Sequence, residues 1–126
     1  MSVPQIAFPL GGSRFRLEQV ELGSISVIRV VDQTAVGMFA LEFDEATLTI
    51  RSLCIDAAHR GYGAGSEAAQ LLVAAAEAAG YFTIRAWAHP NLGLSAYFWG
   101  RMGLCPLHGE GPEGGIWYER MVGELE

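Results

Sequence analysis

Arg60-Gly61-Tyr62-Gly63-Ala64-Gly65 constrains this chain more than any other stretch. A strand-like segment, Thr47 to Ile55, precedes it, and a helical pattern, Ser66 to Ala79, follows. Three glycines in five positions leave the backbone amides of the turn uncovered by side chains. The first amides of a helix lack intrahelical partners, and the helix dipole favours negative charge there. Such a turn therefore reads as an anion cradle. The plainer alternative is a turn whose glycines serve only a tight chain reversal.

The spacing excludes two familiar cradles. No Gly-Lys-Ser/Thr follows, so this is not a Walker loop. The residue three after Gly63 is Ser66, which breaks the Gly-x-Gly-x-x-Gly dinucleotide pattern. That pattern also opens a βαβ unit early, whereas this loop follows at least three strands. Ser24 to Val31 and Ala35 to Phe43 are β-branched and apolar, and the polar Asp32-Gln33-Thr34 joins them as a hairpin. In Thr47 to Ile55, Leu48, Ile50 and Ser52 are expected on one face, with Thr49, Arg51 and Leu53 on the other.

The period then changes. Ala68, Leu71, Leu72, Ala75 and Ala79 recur at helical spacing, with Gly80 placed to end the helix. Tyr81 to His89 returns to strand, Ser95 to Met102 reads as a second helix, and Ile116 to Val122 closes as a strand. Residues 1 to 14 read as an irregular lead-in or a short edge strand. Phe15, Leu17 and Val20 read as a strand followed by a bend. The result is one mixed α/β domain over residues 1 to 126, with a helix on each face of a sheet.

Composition narrows the function. A net charge of −6 argues against a nucleic-acid partner, which needs a basic face. Met1 to Leu10 lacks the basic and apolar regions of a secretory signal, and no apolar run approaches a membrane span. Cys54 and Cys105 are few and far apart, as in a reduced, cytoplasmic protein. Cys54 is expected as a buried thiol. His59 and His108 have no partners at ligand spacing, so no metal site is assigned.

Arg60-x-x-Gly63-x-Gly65 between strand and helix resembles the acetyl-CoA pyrophosphate loop of the GNAT superfamily of N-acetyltransferases. Val36-Gly37-Met38-Phe39 is similar to that family's third strand. Leu53-Cys54-Ile55 followed by His59-Arg60-Gly61 resembles its fourth strand and turn. Asn91, Ala96 to Trp99 and Met102-Gly103-Leu104 resemble its second conserved block. The similarity runs in order from about residue 25 to 122.

The resemblance implies a mostly antiparallel sheet with helices on both faces, shortened in the N-terminal helical region. It implies acetyl-CoA as donor and a primary amine as acceptor. Backbone amides of Gly61, Tyr62, Gly63, Ala64, Gly65 and Ser66 would hold the pyrophosphate, with Arg60 supporting the charge. Ile55 would bond the pantetheine arm, and Asn91 would lie along it. The strand from Tyr81 would splay to open a slot. The family's acid is a tyrosine on the last helix. Here Trp99 stands four before Gly103, so Tyr97 is the candidate acid, with packing as its alternative role. Glu42 and His89 are the candidate bases.

Residues 1 to 24 hold no amphipathic helix where the family has two. The acceptor side is then open, or completed by a second subunit as a homodimer. A non-catalytic acyl-CoA-binding or regulatory domain is the rival reading.

Overall fold

The computed structural model describes residues 5–59, 63–88, 98–106 and 116–121. Its strands are β1 Leu10–Gly11, β2 Phe15–Glu21, β3 Ser24–Arg29, β4 Thr34–Phe43, β5 Thr47–Ile55, β6 Thr83–Ala88, β7 Cys105–Pro106 and β8 Ile116–Met121. They form one sheet in the order β1-β2-β3-β4-β5-β6-β8-β7. The β5–β6 pairing is parallel and the other pairings are antiparallel. A 3-10 turn, Ala57–His59, leaves β5, and helix α1 spans Ala64–Ala79. Residues 98–101 form a further helical turn.

The lead-in becomes the two-residue edge strand β1. Phe15 and Leu17 of β2 are buried, while Val20 is exposed where the β2–β3 register shifts between Gln19 and Glu21. The hairpin of β3 and β4 forms as expected, with a wider turn. Arg29 grips Asp32 with two side-chain bonds of 3.0 and 2.7 Å, and Gln33 takes φ 59°. That grip holds the Asp32 carboxyl well below the usual carboxylate range.

The alternation expected in β5 holds only for its first half. The register runs Phe39↔Leu53 and Ala40↔Ser52, then jumps to Leu41↔Ile50. Arg51 is the extra residue of a β-bulge, and a bulge reverses the phase of the side chains beyond it. Leu53 therefore joins Leu48 and Ile50 on the core face, and Ser52 turns to the other.

Helix α1 begins two residues before its expected start. Its buried stripe is Ala64, Ala68, Ala69, Leu72, Val73 and Ala76. Leu71, Ala75 and Ala79 are only half-buried. Gly80 ends the helix with φ 103°. The Gly80 N–H bonds the Glu77 carbonyl at 3.2 Å, and the Tyr81 N–H bonds Ala76 at 3.1 Å. This is the Schellman arrangement, in which a left-handed glycine lets the last carbonyls find donors.

The core lies between the sheet and α1. Leu17, Val27, Phe39, Ile50 and Ile84 are fully buried there. Trp99 joins this core, and Phe98 lies at van der Waals reach of Gly65. Arg101 and Met102 line a small hollow with Gln70, Val73, Ala74 and Glu77 of α1. Both described helical segments thus share one face. The layer expected on the second face is not present among the described residues, because residues 10–21 are spent on strands. Met38, Glu42 and Cys54 are exposed on that face, as an antiparallel sheet permits. Cys54 is therefore not the buried thiol expected, since the bulge points it away from α1. Both cysteines are exposed and free.

Candidate functional site

The turn between β5 and α1 is held from below. The Asp56 N–H bonds the Val36 carbonyl at 2.9 Å, and the His59 N–H bonds the Asp56 carbonyl at 2.8 Å. Gly63 precedes α1 with φ 80°, a left-handed conformation that favours glycine. Gly63, as the N-cap residue, makes no side-chain bond to the first turn of the helix. Ala64, Gly65 and Ser66 therefore present their amides at the positive end of the helix dipole, where an anion is favoured.

A cation sits against this turn. A β-carbon on Gly63 would lie 2.9 Å from Arg14 Nη2. Arg14 is in turn gripped by Glu67. Its Nε–H donates to Glu67 Oε1 at 3.0 Å and its backbone N–H to Oε2 at 3.1 Å. The Phe15 N–H also donates to Oε2 at 3.1 Å. Burial pushes the Glu67 carboxyl up, but the bonds from Arg14 and Phe15 outweigh it and its pKa ends lowered. One carboxylate in the first turn of α1 thus pins the chain before β2 and places a guanidinium beside the anion cradle. A cavity of about 580 Å³ flanks the turn, with Arg14, Arg29, His59 and Ala64 in its wall.

Gly37 sets the other wall of the turn. A β-carbon there would lie 2.5 Å from the Cys54 carbonyl oxygen and 2.6 Å from Ile55 Cδ1. No residue but glycine lets β4 pass the end of β5 so closely.

The pairing of β5 with β6 stops short of the end of β5. Their parallel ladder runs from Thr47↔Thr83 to Ile50↔Ala86 and ends there. Beyond it, β5 continues to Ile55, while Trp87 and Ala88 pair with Trp117 and Ile116 of β8. The separation starts at the Arg51 bulge, because a bulge bends its strand. Five residue steps, about 17 Å at strand rise, separate Ile55 from Ile50.

Residues 7–104 match the acetyltransferase (GNAT) family. The chain belongs to the GNAT acetyltransferase family. No curated protein matches it. Among solved structures, a candidate ribosomal-protein-serine acetyltransferase from Vibrio cholerae superposes with a TM-score of 0.78 at 14% identity. That match covers 92% of this chain and 98% of the other. A candidate acetyltransferase from Sphaerobacter thermophilus gives 0.69 at 14% identity, over 95% and 99%. A GNAT-family acetyltransferase from Bacillus anthracis gives 0.67 at 20%, over 79% of this chain and 66% of its own. At these identities the likeness concerns the GNAT fold.

The sequence-derived site divides in three. Ile55, Gly63, Ala64, Gly65 and Ser66 do come together at the strand–turn–helix junction. Glu42 lies at the other end of the sheet, opposite Thr49 and 3.5 Å from Arg51 Nη1. Arg60, Gly61, Tyr62, His89, Asn91 and Tyr97 lie outside the described residues. Trp99, four before Gly103 in this GNAT chain, is buried in the core.

Arg14 and Glu67 were missed, and Gly37 was read only as part of a strand, not for its close approach to Cys54 and Ile55. A carboxylate four residues after Gly63 was a signal for Glu67. Nothing local marks Arg14, whose partner is 53 positions away. No cluster of three metal-binding side chains occurs among the described residues, and none of their helices is long and apolar enough to cross a membrane.

Proposed function

We propose that this chain is an acetyl-CoA-dependent N-acetyltransferase that moves the acetyl group directly from the thioester to a primary amine. The observation that carries this reading is the placement of the α1 start at Gly63–Ser66 beyond the end of β5, whose pairing with β6 stops at Ile50. A diphosphate needs amides and cations, and the turn offers both. Arg60, Gly61 and Tyr62 complete the cradle in this reading. The pantetheine arm would run from the Ile55 end of β5 towards Ile50, with Asn91 beside it. That delivers the thioester near the bulge.

The amine must lose a proton before its nitrogen attacks the carbonyl carbon. The C–S bond then breaks and the departing thiolate takes a proton. Glu42, within one residue of the ladder's end, is the proposed base, with His89 as the other candidate and Tyr97 as the proposed acid. Positioning of the two reactants supplies most of the rate in this reading.

Acetyl-CoA should raise the melting temperature, and Gly63→Val should abolish the rise while the chain stays folded. No rise at millimolar acetyl-CoA overturns the reading. Release of free thiol with a panel of amines then tests turnover. One observation favours the rival, a non-catalytic acyl-CoA-binding domain: Trp99 is committed to the core. Binding without thiol release across the panel would select it.

A further inference from the structure

We propose that Arg29 and His59 are positioning residues for the donor turn, and that they hold it only while the His59 ring is neutral. This rests on the donor reading above, which places the diphosphate on the residues that follow His59. His59 ends the 3-10 turn, and Arg60, the first residue of the cradle motif, is next in the chain.

The contact between the two side chains fixes a protonation state. Arg29 Nη1 lies 3.3 Å from His59 Nδ1. A guanidinium carries only donors, so Nδ1 accepts, and an accepting Nδ1 has no proton. Arg29 is itself fixed at the β3–β4 turn. Its Nε–H donates to Asp32 Oδ1 at 3.0 Å and its Nη2–H to Oδ2 at 2.7 Å. The Thr34 N–H donates to the same Oδ1 at 3.2 Å. The His59 ring is thus tied to β3, 30 positions away. Its backbone is tied to β4, through Asp56 and the Val36 carbonyl. Two strands locate the residue from which the cradle departs.

A second proton on the ring undoes one of these ties. Among the described residues, the charged side chains that share a cavity wall with His59 are Arg29 from β3 and Arg14 from just before β2. No acidic side chain described there lines that cavity. The carboxylates Asp32 and Glu67 are engaged by these two arginines, and Asp56 meets His59 through its backbone carbonyl. The grip of Arg29 keeps Asp32 well below the usual carboxylate range, so this anchor stays ionised when the ring is protonated. Histidine is the side chain that ordinarily changes charge between about pH 5 and 8. Acid therefore replaces the Arg29–His59 bond by repulsion between two cations at contact distance, while Arg29 stays in place. The turn is released at one point and the sheet is untouched.

The test is calorimetric titration of the full chain with dephospho-CoA at about pH 8 and about pH 5.5, on either side of an ordinary histidine. Dephospho-CoA keeps the diphosphate and lacks the phosphate monoester of CoA, which itself titrates near about pH 6. The parent should bind about threefold more weakly at the lower pH, the scale of a partly exposed charge contact. His59→Asn offers an amide oxygen in place of Nδ1 and cannot gain a proton. It should keep the parent's affinity at the higher pH and show no weakening at the lower one. Arg29→Lys keeps the charge but lacks the fork that holds Asp32 and His59 together. It should bind weakly at both pH values. Equal pH dependence in the parent and His59→Asn overturns the proposal. Tighter binding in acid that His59→Asn removes also overturns it, by making His59 a direct cationic contact. Absence of binding at both pH values would instead sink the donor reading. Hydrogen exchange of the His59 and Glu67 amides, both bonded at this turn, then still reads the hold in the donor-free chain. Corrected for the intrinsic rate, exchange should speed up in acid in the parent and not in His59→Asn; the same change in both overturns the proposal.

Discussion

At the Ile55 end of β5, glycines do the positioning. Gly37 lets β4 pass within contact of Ile55, and Gly63 holds the left-handed bend into α1. At the Thr47 end, side chains do it. Glu42, Asp44, Phe43 and Leu22 surround a cavity, and several are exposed. The first end presents backbone groups, which every sequence carries, so its chemistry depends on keeping side chains away. The second presents chosen functional groups, so its chemistry changes by substitution.

Substitutions can break the comparison, starting at the tight end. Gly37→Val should be the most damaging. Its side chain would overlap the Cys54 carbonyl and Ile55, costing about 3 kcal/mol or more of stability in urea unfolding. Glu67→Ala should follow. It removes the acceptor of the Phe15 amide and the bonds to Arg14, at about 1–3 kcal/mol.

Glu67 also sets a pH signature. Its pKa is lowered in the fold, so its contribution is complete above the ordinary glutamate value, about 4.3, and is lost as pH falls through the lowered value. The Glu67→Gln variant should lose less stability than the parent on acidification. Equal acid sensitivity would show that the clamp is not ionic.

Gly63→Ala should cost about 1–2 kcal/mol from its left-handed backbone alone. Gly65→Ala sharpens the contrast. A β-carbon there meets Ile55 and Phe98 at 3.7 Å, ordinary contact, and alanine suits a helix better by about 0.5–1 kcal/mol. This variant should melt higher yet show a smaller acetyl-CoA shift, because the methyl group narrows the approach to the amides. A full shift would remove Gly65 from the cradle. Smallest of all, Glu42→Ala should change stability by under about 0.5 kcal/mol, since its pair with Arg51 is long and exposed. Thiol release should fall far more than that.

Much of the fold was legible because it is local. The β-branched composition of β3, the glycine stop at Gly80 and the strand character of Phe15 to Leu17 depend on near neighbours alone. The junction at Gly63 was legible for the same reason: a turn and a helix start are adjacent in sequence. Glu42 was legible as a residue type, but not its place opposite Thr49 beside a cavity.

By itself, then, the sequence determined the order of strands β2 to β6, the helix that follows the glycine turn, and the family to which both belong. Those features rest on spacing, which a linear chain records. Tertiary structure decided the phase of β5 after Arg51, the exposure of Cys54, the grip of Glu67 on Arg14 and the acid-lined cavity. Each joins segments far apart in the chain. A bulge is visible only against its partner strand, a clamp only when both ends are in place, and a cavity only after packing has left the space.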